Sequence, residues 1–179
     1  MANRSYLYSA DTLPTETDNP QQILCISEHR WDIPLGHKLL VGREPRIVQS
    51  MIWNPRIGIG ADYAGGTALL LDVLRVVGEG LAEEPDFAEL AAKITTHLDR
   101  QRATYFVLET GEMLSLNDGD VEEAAQQLVS DDIPDAVTRA EAAIAGEDDE
   151  WLEEVRASWR DHFESHWAKV LYFSFPTTP

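Results

Sequence analysis

Residues 150–175 read EWLEEVRASWRDHFESHWAKVLYFSF, and the rest of the chain is organised around them. At about 100° per residue, Trp151, Leu152, Val155, Phe163, Trp167 and Val170 fall within roughly 80° of Trp159 on a helical wheel. That arc is the expected buried face. Glu153, Glu154, Asp161 and Glu164 lie opposite it, and Arg156 and Arg160 flank it. His162 and His166 fall inside the apolar arc, one helical turn apart and therefore neighbours on one face. After Ala168 the period changes. Residues 170–175 are apolar or aromatic on both alternating faces, which suits a strand covered on both sides.

The helix is preceded by an acidic segment. Residues 109–154 carry sixteen acidic side chains and one base, Arg139, whereas residues 1–56 hold six of each sign. The formal charge of −18 therefore resides in the later part of the chain. Asp118 or Asp120 is placed to cap a helix through Leu128, Pro134 to open another through Ala145, and Gly146 to lead into the closing helix. Repulsion excludes direct binding of a nucleic-acid backbone through this segment. A partner for it would be a basic protein, met by Glu147, Asp148, Asp149 and Glu150. The competing reading is a solvated helical surface with no partner.

Nearer the N-terminus, residues 5–9 predict a strand with Tyr6 and Tyr8 on one face and Leu7 on the other. Residues 12–19 form a loop, and residues 21–27 are either a strand or the start of a helix. Asp32, Pro34 and Gly42 predict a short helix over 33–41, with Gly42 as its left-handed C-terminal residue. Strands are expected over 47–53 and 57–61, paired through a turn at Asn54-Pro55. Gly58 and Gly60 begin a dinucleotide-like fingerprint, but Tyr63 occupies the third glycine position and rules it out. Asp62, Tyr63, Gly65 and Gly66 then form a candidate ligand or anion loop ahead of a helix over 67–77, with a plain tight turn as the alternative. Residues 85–100 have helical spacing, residues 105–108 read as a buried strand, and residues 113–116 as its hairpin partner.

The expected fold class is α+β: a mixed or antiparallel sheet packed by helices, an acidic helical C-terminal half and a final buried strand paired with the first strand or with the one at Tyr105. A chain of 179 residues with 44% hydrophobic content suits one domain, with a sheet-rich part over 1–116, an acidic helical part over 117–168 and the closing strand over 169–175. The N-terminus lacks the apolar stretch of a signal peptide, and the longest oily segment, residues 68–77, is too short to span a bilayer. The lone Cys25 cannot form an internal disulfide, which agrees with a cytoplasmic setting. Oligomeric state is left open.

Catalytic motifs of high specificity are missing. No Gly-x-Ser-x-Gly elbow or phosphate loop occurs, and His-Phe-Glu-Ser-His lacks the glutamate that follows the first histidine in zinc proteases. No cofactor is predicted. A divalent metal has one candidate site, His162 with His166, joined by His29, His37, His97 or an acid. The alternative keeps both histidines neutral, partly buried and hydrogen-bonded to backbone or to a residue such as Asp32.

The opening MANRSYLYS, the segment Trp31-Asp32-Ile33-Pro34-Leu35 and Asp62-Tyr63-Ala64-Gly65-Gly66 resemble segments of a bacterial family grouped as a domain of unknown function. The resemblance implies a cytoplasmic bacterial protein and carries over no activity. Two functions are consistent with the sequence. One is a non-enzymatic protein-binding module, immunity-like or regulatory, that uses the acidic surface. The other is a metal-dependent or small-molecule enzyme centred on His162 and His166.

Overall fold

The computed structural model describes residues 3–116 and 118–162. The described residues contain five strands: β1 (Arg4–Ala10), β2 (Ile23–Arg30), β3 (Arg46–Val48), β4 (Gly58–Asp62) and β5 (Tyr105–Glu109), with burial alternating along β1 and nearly continuous along β4 and β5. They form one antiparallel sheet in the order β2-β1-β5-β4-β3. Around it lie α1 (Leu35–Leu40), α2 (Tyr63–Glu79), α3 (Pro85–Arg100), α4 (Gly111–Leu114), α5 (Val121–Gln127), α6 (Ile133–Ile144) and α7 (Asp149–His162). The fold class is α+β, with an antiparallel sheet packed by helices.

Register fixes what each sheet face carries. Leu7 stands opposite Leu108, and Ser9 opposite Phe106. These inward residues join Ile59 and Ala61 in a core that also takes Leu70 and Val73 of α2, Ile94 of α3 and Val137 of α6. Tyr6 and Tyr8 point the other way and stack on each other at 6.4 Å. On that second face Ala10, Val48 and Val107 make a small cluster under Leu13 and Met51. The expected closing strand over 170–175 lies outside the described residues. β1 and β5 each have strand neighbours on both sides, so the open edges of the described sheet are at β2 and β3.

Helix α7 obeys the wheel. Trp151, Leu152, Val155 and Trp159 are buried, while Glu153, Glu154 and Asp161 are exposed. Trp159 meets Phe87 of α3 edge to face, with ring centroids 5.2 Å apart. The flanking arginines turn out to have a definite task. Helix α2 has no basic residue in its last turn, so its terminal carbonyls need donors from elsewhere. Arg156 donates to the carbonyls of Val76 (2.7 Å) and Val77 (3.1 Å), and Arg160 donates to that of Gly80 (3.1 Å). Their charge also complements the negative end of the α2 dipole.

Four local expectations are corrected. Residues 113–116 do not pair with β5 as a hairpin. Both sides of β5 are taken by β1 and β4, and α4 forms over Gly111–Leu114 instead. The strand expected over 47–53 stops at Val48. Beyond it Glu109 accepts from Ser50 Oγ (2.6 Å) and Met51 N (2.7 Å), and Ser50 Oγ accepts from Ile52 N (3.1 Å) and Trp53 N (2.8 Å). A buried carboxylate and a hydroxyl thus claim the N–H groups a longer strand would have used. Replacing Ser50 with alanine orphans these groups and is expected to cost about 2 kcal/mol, measured by chemical denaturation.

The other two corrections concern glycines and helix ends. Helix α1 is shorter than expected, Leu35–Leu40, and Gly42 has no positive φ. A Cβ at Gly42 would fall 2.5 Å from Val137 Cγ2, so this glycine permits close approach to α6. Helix α2 begins at Tyr63, four residues before its expected start, because Asp62 caps it by accepting from Gly65 N at 2.6 Å. Gly65 and Gly66 are therefore helical. A Cβ on Gly66 would fall 1.8 Å from the carbonyl oxygen of Leu40, where α1 crosses α2.

Candidate functional site

Helices α5 and α6 are joined by a π-helical turn, Leu128–Asp132, whose closing bond runs from Ile133 N to the Leu128 carbonyl. Pro134 explains the turn. It has no N–H to give, and its ring would press on the carbonyl four residues earlier in a regular α-helix. One widened turn relieves that conflict, and such turns often occur where a helix serves a site. Here the turn and the start of α6 present Asp131, Asp132 and Asp135, all exposed.

Those three acids form one wall of an open cleft of about 670 Å³. Asp32 and Ile33, which precede α1, and Leu35 and Lys38 of α1 form the other wall, and Ala136, Arg139 and Trp151 complete the lining. Four carboxylates thus stand against two bases. One of the bases is already committed: Arg139 Nε donates to Asp148 Oδ2 at 3.2 Å, and its guanidinium lies 4.0 Å from Glu154. The cleft is chemically suited to a guanidinium or ammonium group, which carboxylates hold through charge-assisted hydrogen bonds.

The predicted partner segment adjoins this cleft through Arg139 and Trp151. Gly146 has φ +76° and ends α6 in a Schellman arrangement, with Gly146 N donating to the Ala143 carbonyl (3.1 Å) and Glu147 N to that of Ala142 (2.8 Å). Glu147 is exposed on the resulting turn, and Asp149 and Glu150 are exposed in the first turn of α7. Asp148 has a structural task. Its carboxylate accepts from Trp151 N (3.0 Å) in the first turn of α7 and from Arg139. The Trp151 bond first, and Arg139 beside it, hold that carboxyl below the usual range.

The other sequence candidates are placed as follows. Asp62, Tyr63, Gly65 and Gly66 make the cap and first turn of α2, where Asp62 supplies its own carboxylate to a helix N–H and Tyr63 N donates to the Thr104 carbonyl (3.1 Å). Of the metal pair, His162 is the last described residue, within α7, and His166 lies outside the described residues. No group of three or more His, Cys, Asp or Glu among the described residues is arranged to hold a metal ion. Trp31 and Trp53 are 50% and 41% exposed, whereas Trp151 and Trp159 are buried.

Sequence reasoning missed a buried polar layer beneath α1. Ser5, Ser27, His29 and His37 are all buried on the inner side of β1, β2 and α1. Ser5 Oγ donates to the Asp32 carbonyl (2.9 Å) and lies 3.4 Å from His37 Nδ1. With the Ser5 proton committed to Asp32, the contact with His37 calls for a proton on Nδ1, and the enclosed Nε2 has no hydrogen-bond partner among the described residues. Burial first, then nearby His29, pushes the His37 pKa down to about 3. This Ser-His contact is sealed from solvent, and the hydroxyl points its proton at a carbonyl, so it is not a nucleophile activated by a base. Cys25 is no better placed, because burial raises its thiol pKa. The readable sign of this layer was the alternation of Ser5, Leu7 and Ser9 along one strand face.

At the neighbouring bulge in β2, the register between β1 and β2 skips Ile26. Its carbonyl lies 2.9 Å from His97 Nε2, the ring nitrogen suited to donate to it. No helix among the described residues is long and apolar enough to cross a membrane.

Among the described residues, a five-stranded antiparallel sheet backed by helices, with an acidic cleft on its helical side, makes this an α+β protein. Residues 11–148 match the family described as "Domain of unknown function (DUF7822)", and the chain belongs to it. The match spans both walls of the cleft and stops short of Trp151. No curated protein and no solved structure matches the chain.

Proposed function

We propose that this chain is a non-enzymatic protein-binding module, immunity-like or regulatory in kind, which receives a basic partner on the acidic surface around α5, α6 and α7. The cleft carries the reading: Asp32, Asp131, Asp132 and Asp135 converge on one open space against Lys38 and an Arg139 that is already paired. A solvated acidic helix has no need of a concave centre, whereas a surface that holds a lysine or arginine side chain does. Glu147, Asp149 and Glu150 extend the negative field beside it and would steer the partner inward. A cytoplasmic setting fits the lone Cys25.

Capture of a basic partner by the immobilised chain is expected to weaken as salt rises. Reversing Glu147, Asp149 and Glu150 to lysine should slow association and reduce capture, while Asp148 is left intact because it caps α7. Capture that is insensitive both to salt and to this triple reversal would overturn the acidic-surface reading.

A further inference from the structure

The two open edges of the described sheet differ in kind. β3 is three residues long, follows Pro45 and opens on Arg46, and beyond Val48 its continuation is claimed by Glu109 and Ser50. Shortness, a proline and a charge are the usual protections of a strand edge. β2 is the exposed one. It runs for eight residues, and residues 23–27 carry neither charge nor proline.

The apolar ground beside β2 lies on both faces. On the helical face His97 Nε2 of α3 is 2.9 Å from the Ile26 carbonyl, which sets α3 against this strand. Leu90 sits about 20° from His97 around the same helix and is only half-buried. On the other face Cys25 is half-buried and Ile23 is 41% exposed.

Helix α7 delivers the chain to this place. Arg160 donates to the Gly80 carbonyl in the connection that leads to α3, and Trp159 packs on Phe87 in the first turn of α3. The far end of α3 lies where β2 begins: the Tyr63 hydroxyl donates to the Leu98 carbonyl, Tyr63 N to that of Thr104, and Thr104 N to that of Ala10, the partner of Ile23. A segment that leaves α7 and follows α3 therefore runs antiparallel to β2. From His162 to Val170 is eight residues, a reach of about 26 Å when extended.

We infer that residues 170–175 add to β2 as an antiparallel strand, with Leu171, Phe173 and Phe175 beneath Leu90 of α3 and Val170 and Tyr172 beside Cys25 and Ile23. The alternating pattern of this segment supplies one wholly apolar face for the helix side and one mixed face for the other. A second copy of the chain is the rival occupant. It would bring another formal charge of −18 to the contact, whereas a tethered segment pairs at a high effective concentration.

Hydrogen exchange of the full chain, read residue by residue at two protein concentrations, tests this. The β2 amides that face away from β1 are expected to exchange about tenfold or more slowly than the outward amides of β3, and equally so at both concentrations. Tyr172→Pro and Phe173→Pro place a proline at successive positions, so one of them removes an N–H directed at β2. That variant should lose the β2 protection while β5, paired on both sides, keeps its own. Fast exchange of the outward β2 amides in wild type, protection that grows with concentration, or β2 protection retained in both variants would overturn the inference.

Discussion

Replacing Gly66 with alanine is expected to lower the melting temperature by about 6–12 °C or to prevent folding. Two effects oppose each other at this position. Helix propensity favours alanine over glycine by about 1 kcal/mol, so a glycine inside α2 invites a stabilising substitution. Against it stands the Leu40 carbonyl, whose oxygen and carbon would lie 1.8 and 2.7 Å from the new Cβ. A backbone group cannot rotate aside as a side-chain tip can. Helices α1 and α2 would have to separate, moving Leu39 and Leu40 of the core. Overpacking usually costs about 1–3 kcal/mol, and a clash with backbone belongs at or above the top of that range. In a chain of this size each kcal/mol is worth about 2–4 °C. Gly65 is the control. There a Cβ would fall 3.0 Å from Arg43 Cγ, on a flexible side chain, so Gly65→Ala should be near neutral in the same thermal melt. Equal melting temperatures for the two variants would mean that α1 does not cross α2 at Gly66.

The second large effect is acid lability from His37. Burial holds this imidazole neutral in the folded chain, with a pKa pushed down to about 3, whereas the unfolded side chain titrates near 6.5. Below pH 6.5 the unfolded state therefore binds a proton that the folded state refuses. Stability is fully present above the unfolded pKa and falls by up to about 1.4 kcal/mol per pH unit until the folded pKa is reached. His97, also lowered by burial, adds a contribution of the same sign. Glu109 acts oppositely. Burial raises its carboxyl pKa, so its folded form prefers the proton, and its contribution grows as pH falls through that raised value. Comparing wild type with His37→Leu isolates the His37 share, since the other groups are common to both. Denaturation midpoints across pH 3–6.5 should fall more steeply for wild type, and parallel profiles would show that His37 is not protected from protonation.

Local pattern was the readable part of this chain, and distant pairing was the unreadable part. The strand at residues 5–9, the helix over 85–100 and the buried face of α7 each follow from a period that one segment carries by itself. Residues 113–116 were misread because four residues, three of them apolar, do not separate strand from helix. What decides the matter is that β5 already has two neighbours. The premature end of β3 depends on Glu109, which lies 59 residues from Ser50 and could not be paired with it from sequence. The glycines at 65 and 66 suggested a turn because their partners, Leu40 of α1 and Arg43 just beyond it, are distant in sequence.

The candidate site divides in the same way. Its charge was legible, because the acidic residues between 109 and 154 fall in one stretch of sequence with a single base. Its shape was not, because Asp32 and Lys38 meet Asp131, Asp132 and Asp135 only through packing of α1 against α6. Pro134 was read as the opening of a helix. In the folded chain it also sets the π-helical turn that presents Asp131 and Asp132 to the cleft. The quartet at 147–150 likewise mixes two kinds of residue: Asp148 holds α7, and its three neighbours face solvent.

The acidic cleft as a receptor for a basic side chain is most directly tested by the affinity of a labelled arginine-rich peptide, read by fluorescence anisotropy at low and at high salt. Wild type should bind, lose affinity as salt rises, and lose about tenfold or more when Asp131 and Asp135 are both changed to lysine with helical content retained. Binding that is equally tight in the double variant, or unchanged by salt, would contradict a role for the cleft.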